Sequence, residues 1–235
     1  MKAYKKDFAY SYCLGVFPLL ELLKFHPDQV LQINLNPKGE TNRGLEEIKK
    51  IAKVKKLPIE YSAGMIENLT NQENIYAMAT FKKYVSEVAQ SENHIVLVNP
   101  SDMGNLGTII RTMLGFNVLN LAIIKPGVDI FDPKVIRSSM GALFQINFDY
   151  FPTFDDYFSK HQDHKYYALA TSGRTDLKDV NFDHPFSLVF GNESSGLPES
   201  FNRFTTVKIP HTDKIDSLSL PISVGIVLAK TAEVI

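Results

Sequence analysis

Hydrophobic and polar positions follow two different styles along the chain. In the front part, Val30-Leu-Gln-Ile-Asn-Leu35 alternates with the period of a strand, and Leu45, Ile48, Ile51 and Ala52 fall on one face of a helix that Thr41 or Asn42 can cap. Pro58 to Tyr61 and Ile75 to Phe81 read as further strands, giving a small α/β unit. The polar run Ser-Glu-Val-Ala-Gln-Ser-Glu-Asn, 86 to 93, then gives way to the apolar run Ile95 to Val98, and a domain boundary is expected there. The front domain is accordingly assigned to residues 1–88 and the second to 92–235.

Behind the boundary the apolar segments Ile95 to Val98, Leu119 to Ile124, Tyr166 to Ala170 and Leu188 to Phe190 are separated by stretches with helical spacing. Continuously apolar strands spaced by helices predict a parallel sheet covered on both faces. The final stretch, Leu220 to Val234, is apolar on nearly every side and should be buried against the sheet, a second subunit, or both. No internal repeat or low-complexity segment interrupts the pattern.

Charge changes the picture of the front domain. The chain is nearly neutral overall, yet residues 1–90 hold 13 Lys and Arg against 10 acids and the remainder 12 against 16, so the front carries +3 and the back −4. The front is the better polyanion surface, although Lys49, Lys50, Lys53, Lys55 and Lys56 would also serve as the solvated face of one helix. A single cysteine, Cys13, excludes an internal disulfide and suits a small buried side chain. No apolar run reaches membrane-spanning length and the charged start Met1 to Asp7 is not a secretory signal, so a cytoplasmic protein without membrane contact is expected.

Three segments carry candidate chemistry. Asn99-Pro-Ser-Asp-Met-Gly-Asn-Leu-Gly-Thr-Ile-Ile-Arg-Thr112 leaves a strand and enters a helix with Gly104 and Gly107 at the turn. It lacks both G-x-G-x-x-G and the G-K-[ST] of a P-loop, and by itself reads equally as a glycine-rich βα turn with Arg111 exposed. Leu188-Val-Phe-Gly-Asn-Glu-Ser-Ser-Gly-Leu-Pro198 places the carboxylate of Glu193 in a loop at a strand's carboxyl end, where open α/β sheets bind ligands; a helix entry with Pro198 at its first position is the plainer account. Val207 to Gly225 holds an Ile-Pro pair and Ser217-Leu-Ser219, either serine of which could simply cap the last helix.

In this order, the three segments resemble the signature motifs of the SpoU/TrmH RNA methyltransferases of the SPOUT superfamily: N-P-x-x-x-G-N-x-G-x-x-x-R, G-x-E-x-x-G-L, and I-P followed by S-L-N. Lys134-Val-Ile-Arg-Ser-Ser-Met-Gly-Ala142 resembles the intervening K-x-x-R-A-S-x-G-A segment. Tyr10 to Tyr84 is more weakly similar to the ribosomal-protein-like substrate-binding domain of many members. The resemblance implies a carboxyl-terminal α/β domain tied in a deep trefoil knot, with S-adenosyl-L-methionine held in the knot by the backbone at Gly191, Ile209 and Leu218. It further implies a homodimer in which Arg111 of one subunit reaches the reaction centre of the other, with Asn105, Glu193 and Ser217 completing the catalytic set. Two positions depart from the pattern: Ser219 stands where asparagine is usual and Pro221 where serine is frequent. Serine keeps a donor and an acceptor but loses the amide's reach, and Pro221 is compatible with the first turn of a helix.

The implied activity is S-adenosylmethionine-dependent methylation of a ribose 2′-hydroxyl in RNA; ribosomal RNA is preferred to transfer RNA as the expected substrate, although enzymes of both share these motifs. Methyl transfer from a sulfonium is an in-line displacement, so the protein must position reactants and manage one proton, and no metal is required. Because a guanidinium stays protonated, Arg111 suits a clamp on RNA phosphate and a stabiliser of developing alkoxide better than a base. Phe25, Tyr61, Tyr76, Phe81 and Tyr84 of the front domain are candidates to stack on bases, though core packing is the commoner use of such residues. His161 and His164 have a spacing found in metal sites but no cysteine or carboxylate completes a set, so they are read as surface residues; Asp213 and Asp216 are read as solvated. An RNA-binding protein of the same fold without methylation, a ribosome assembly factor acting through the front domain, and an α/β enzyme of small molecules are the competing readings. Cofactor binding separates the first, RNA binding by a truncated chain the second, and the absence of a nucleotide-binding pattern or nucleophile–base set counts against the third.

Overall fold

A computed structural model describes residues 3–62, 64, 66 and 75–232. The chain divides into two compact units: Met1–Tyr84 with Asp129–Gln145, and Val85–Val128 with Ile146–Ile235.

The first unit is built on a four-stranded sheet of β1 (Tyr10–Leu14), β2 (Val30–Leu35), β3 (Ile59–Tyr61) and β4 (Ala77–Lys82), in the order β1-β4-β2-β3. β4 runs antiparallel to both β1 and β2, whereas β2 and β3 are parallel. Helices α1 (Val16–Phe25) and α2 (Arg43–Lys55) pack on each other. Asn42 caps α2, its side chain accepting from the Gly44 N–H at 2.9 Å, and Leu45, Ile48 and Ala52 are its buried stripe. Lys50, Lys53, Lys55 and Lys56 are exposed, and Lys49 pairs with Glu46 at 2.8 Å. Of the five front-domain aromatics, Phe25 and Tyr61 are exposed, Tyr76 and Tyr84 are half-buried, and Phe81 is core. Phe81 therefore cannot stack on a base: its ring lies edge-on to Phe131 and Phe144.

Residues 129–145, placed by sequence in the second domain, group with the first unit instead. Ser11 Oγ donates to the Phe131 carbonyl, the His26 ring meets the Phe144 carbonyl at 3.0 Å, and Lys83 pairs with Asp129 at 2.8 Å. Phe131 and Phe144 complete an apolar core that the front sequence lacks by itself, so the chain returns to that unit between two strands of the other. The short helix α3 (Pro133–Ser138) lies in this segment and packs on β1.

The second unit is a seven-stranded, all-parallel sheet. Its strands are β5 (His94–Val98), β6 (Asn120–Ile124), β7 (Asn147–Phe151), β8 (Lys165–Leu169), β9 (Thr175–Asp176), β10 (Phe186–Phe190) and β11 (Thr205–Lys208), in the order β7-β6-β5-β10-β8-β11-β9. Strands β5, β6 and β10 are buried along almost their whole length, as strands covered on both faces must be. Helices α4 (Met103–Gly115), α5 (Phe154–Lys160) and α6 (Leu220–Thr231) belong to this unit, and α4 packs on α6. Helix α6 buries Pro221, Val224, Val227 and Leu228, while Ile222 is 55% exposed, so one stripe and not the whole circumference faces inward. Val234, the expected end of this helix, lies outside the described residues.

His161 and His164 are not surface residues. Each is only 4% exposed, and with the fully buried His94 they cluster at the amino-terminal edge of the sheet. The surrounding sequence is polar, but Tyr157, Tyr166 and Phe151 from neighbouring elements close over the loop.

Candidate active site

The three motif segments converge at the carboxyl ends of the parallel strands. Following β5, Asn99 adopts a left-handed backbone (φ 54°), a conformation that asparagine tolerates better than most residues, and the chain turns through Pro100 and Ser101 into α4. Asp102 caps that helix by accepting from the Asn105 N–H at 2.7 Å. Gly104 and Gly107 lie inside α4 and not in the turn before it, because the helix already begins at Met103.

Following β10, residues 191–197 fold back on themselves. The Gly196 N–H donates to the Asn192 carbonyl at 2.9 Å, and Gly196 has φ 66°, a region in which a side chain is strained. A β-carbon on Gly191 would stand 2.2 Å from the Gly196 carbonyl carbon and 2.5 Å from the Leu197 nitrogen. Glycine is thus demanded at 191 by the loop's own backbone.

These two turns are joined through Glu193. One carboxylate oxygen accepts from Ser101 Oγ at 2.8 Å and from the Ser101 N–H at 3.4 Å, and the other from Asn105 Nδ2 at 3.3 Å. Burial opposes the ionised carboxylate, but donors from its own backbone, from Ser101 and from Asn105 prevail and hold Glu193 below the ordinary glutamate range. It is an anion at neutral pH. Asn192 makes the second tie: its Nδ2 donates to the Asn99 carbonyl at 2.8 Å, and its Oδ1 accepts from the Ser194 N–H at 2.9 Å. Asn99, Ser101 and Asn192 did not emerge from the sequence as site residues. Their signal was present in the motif segments themselves, as small polar side chains next to the assigned Asn105 and Glu193.

A cavity of about 720 Å³ opens beside this junction. Its walls include Asn105, Gly191, Glu193, Ile209, Ser217 and Leu218, so six of the seven residues assigned from the motifs share one site. Leu169, Leu197 and Leu220 add apolar wall, and Thr171, Ser219 and Ser223 add hydroxyls. Ser219 occupies the cap position of α6 without a side-chain capping bond, and Pro221 falls within the first turn, where its missing N–H costs nothing. The reading of Pro198 as a first helical residue is corrected: it precedes a short 3-10 turn, Glu199–Arg203. Arg111, the seventh residue, is exposed on α4 and does not line the cavity.

Residues 92–229 match the model of the SpoU rRNA Methylase family. The chain belongs to that family. This SpoU methylase is an RNA methyltransferase, and the knotted topology expected from its motifs goes with the membership. It is 32% identical over 135 residues, 54% of this chain and 79% of the relative, to a putative tRNA (cytidine(34)-2′-O)-methyltransferase of Listeria monocytogenes. Among solved structures, the AdoMet-bound rRNA methyltransferase of Sinorhizobium meliloti is similar over 97% of this chain and 88% of that one, with TM-score 0.81 and 23% identity. The SpoU methyltransferase of Streptomyces viridochromogenes in complex with AdoMet matches over 96% of this chain and 90% of that one, with TM-score 0.82 and 20% identity. At such identities the two structures establish a shared fold across both units of this methylase.

The cavity of this methylase suits S-adenosylmethionine. Its volume lies within the roughly 300–1,000 Å³ of small-molecule sites, and its apolar walls and hydroxyl-rich rim match a ligand with a flat base at one end and a charged amino acid at the other.

Proposed function

We infer that this S-adenosylmethionine-dependent 2′-O-ribose methyltransferase takes ribosomal RNA as its substrate, and that Arg111, Asn105, Glu193 and Ser217 serve the transfer. When bound, the cofactor supplies a methyl group on a sulfonium that already carries its leaving group. What remains for the protein is positioning and charge.

The observation that carries the catalytic reading is the carboxylate of Glu193 fixed by Ser101 and Asn105 at the rim of the cavity. An ionised, hydrogen-bonded carboxylate there orients a cationic partner or a ribose hydroxyl, and Asn105 retains amide capacity for the same task. Ser217 is exposed and lines the same cavity. Gly191, Ile209 and Leu218 border the cavity, and a cofactor held by their backbone would find no obstacle in their apolar or absent side chains. Arg111 stays protonated and acts as a clamp on RNA phosphate and a stabiliser of developing alkoxide. Its exposure outside the cavity of its own chain supports a homodimer in which it serves the partner's site. The exposed Ile222 on α6 fits such a contact.

The ribosomal choice rests on the front unit. A solved structure described as giving structural insights into the 2-OH methylation of C/U34 on tRNA spans 61% of this chain, whereas the S. meliloti structure, described as an rRNA methyltransferase, spans 97% of it. A unit that adds exposed Lys50, Lys53, Lys55 and Lys56 beside exposed Tyr61 supplies phosphate contacts and a stacking face for a structured RNA.

The test is transfer of labelled methyl from S-adenosylmethionine to ribosomal and transfer RNA, each from cells lacking the gene, with the product mapped as a ribose methyl. Incorporation into ribosomal RNA alone, strongly reduced by Arg111→Ala, is expected. Incorporation into transfer RNA alone would overturn the substrate assignment.

A further inference from the structure

Far from the carboxyl ends of the strands, three imidazoles meet at the opposite edge of the seven-stranded sheet. His94 opens β5, His164 precedes β8, and His161 follows α5; the ring centroids lie 4.6 to 5.3 Å apart, and one ring nitrogen of each falls within 4.8 Å of the others. All three residues are buried.

Hydrogens are short in this cluster. His94 Nε2 lies 2.6 Å from the Ala89 carbonyl and His164 Nε2 lies 2.7 Å from the Gln90 carbonyl. A carbonyl only accepts, so both rings carry their hydrogen on Nε2 and present Nδ1 as a lone pair. His94 Nδ1 is 2.7 Å from the Tyr157 hydroxyl, His164 Nδ1 is 2.8 Å from Ser187 Oγ, and the two oxygens are 2.6 Å apart. These three contacts share two hydroxyl hydrogens. In addition, His161 Nδ1 is buried without any hydrogen-bond partner. The hydroxyl chain is therefore one hydrogen short, and His161 Nδ1 is unmatched in either tautomer in the same enclosed space. A single extra proton on His94 or His164 would complete the hydroxyl chain but leave His161 Nδ1 unmatched.

We propose that His94, His161 and His164 form a binding site for one divalent cation of borderline softness, of which Zn(II) is the representative. Neutral imidazoles are the usual ligands of such ions, and the Nε2–H bonds to backbone carbonyls are the outer contacts that fix the tautomer and aim Nδ1 at a metal. Nitrogens bound at about 2.0–2.1 Å in tetrahedral geometry stand roughly 3.3 Å apart, so the rings close inward when the ion enters, and a hydroxyl oxygen of Tyr157 or Ser187 is at hand for a fourth position. The ion would brace β5, α5, β8 and β10 at the base of the sheet, away from the methyl-transfer site.

Untagged, chelator-treated protein titrated with Zn(II) and with Co(II), each alone, tests this. One equivalent per chain should bind, Co(II) should develop the visible absorption of a low-coordinate nitrogen site, and Zn(II) should raise the melting temperature. His161→Ala is the informative variant, since its Nδ1 makes no internal bond and the fold can be verified by circular dichroism. It should weaken binding beyond the ~10–100-fold that loss of a supporting contact costs. The double variant His184→Ala/His211→Ala, which removes two exposed histidines, should bind as the parent does. Absence of a saturable equivalent, equal affinity in His161→Ala, or loss of binding in the double variant would each overturn the proposal.

Discussion

The two edges of the parallel sheet are built from the same strands yet in opposite ways. At the carboxyl edge, an anionic carboxylate is met by several donors: Glu193 receives Ser101 Oγ, the Ser101 N–H and Asn105 Nδ2 while remaining partly open to solvent. At the amino edge, hydrogen-bond partners are short and the residues His94, His161 and His164 are buried. The carboxylate at the cavity rim is ionised and partly accessible, whereas the imidazoles at the other edge are neutral and enclosed. Burial favours the uncharged imidazole, pushing His94 down to about 3 and His161 down to about 4. Function and stability should therefore separate cleanly between the edges.

The most severe test is Arg111→Ala. If Arg111 serves the transfer as proposed, its loss should lower kcat by about 10²–10³, while the melting temperature stays unchanged because the side chain is exposed. Steady-state kinetics beside thermal unfolding reads both, and a matching loss of stability would blur the comparison. Next in size is Gly191→Ala. With a β-carbon 2.2 Å from backbone, the loop must move, at a cost of roughly 1–3 kcal/mol, and calorimetric titration should find cofactor affinity lost while the far edge is untouched.

Tyr157→Phe is the mirror image. It deletes the hydroxyl that meets His94 and Ser187, and leaving these buried groups short should cost about 1–3 kcal/mol in chemical denaturation without altering KM for cofactor. A rise in KM would mean that the edges communicate. The smallest effect expected is the pH response of Glu193. Its pKa in the folded chain lies below the ordinary 4.5, so the stability from its donors is complete above that value and disappears as pH falls through the folded pKa. Cofactor affinity should accordingly be flat from neutrality to about pH 4.5 and decline only below it, whereas Glu193→Gln should abolish that acid limb.

Much of this was open to a reader of the sequence. The stripe Leu45, Ile48 and Ala52 behind the Asn42 cap and the continuous apolar runs of β5, β6 and β10 each report a local environment that repeats with the period of the element, whereas Val30 to Leu35 forms the expected strand without alternating in burial, since Leu31 is exposed and Asn34 is buried. The motif segments carried six residues into one cavity because each lies directly behind a strand, and parallel strands bring their carboxyl ends together. Strand β7 and helix α1 escaped notice, since Asn147-Phe-Asp-Tyr-Phe151 mixes polar residues into a sheet-edge strand and Pro18 interrupts the helical spacing.

What the chain by itself determined was the class of each element and the chemistry of the loops that follow the strands, because both depend on residues close in sequence. Three matters belonged to the tertiary structure alone: that residues 129–145 return to the first unit, that Phe81 is enclosed while Tyr61 is not, and that His161 and His164 are buried against His94. Each depends on contacts between segments separated by tens of residues, as with Ser11 and Phe131 or His164 and Gln90, and burial there is decided by which remote side chains arrive to exclude water.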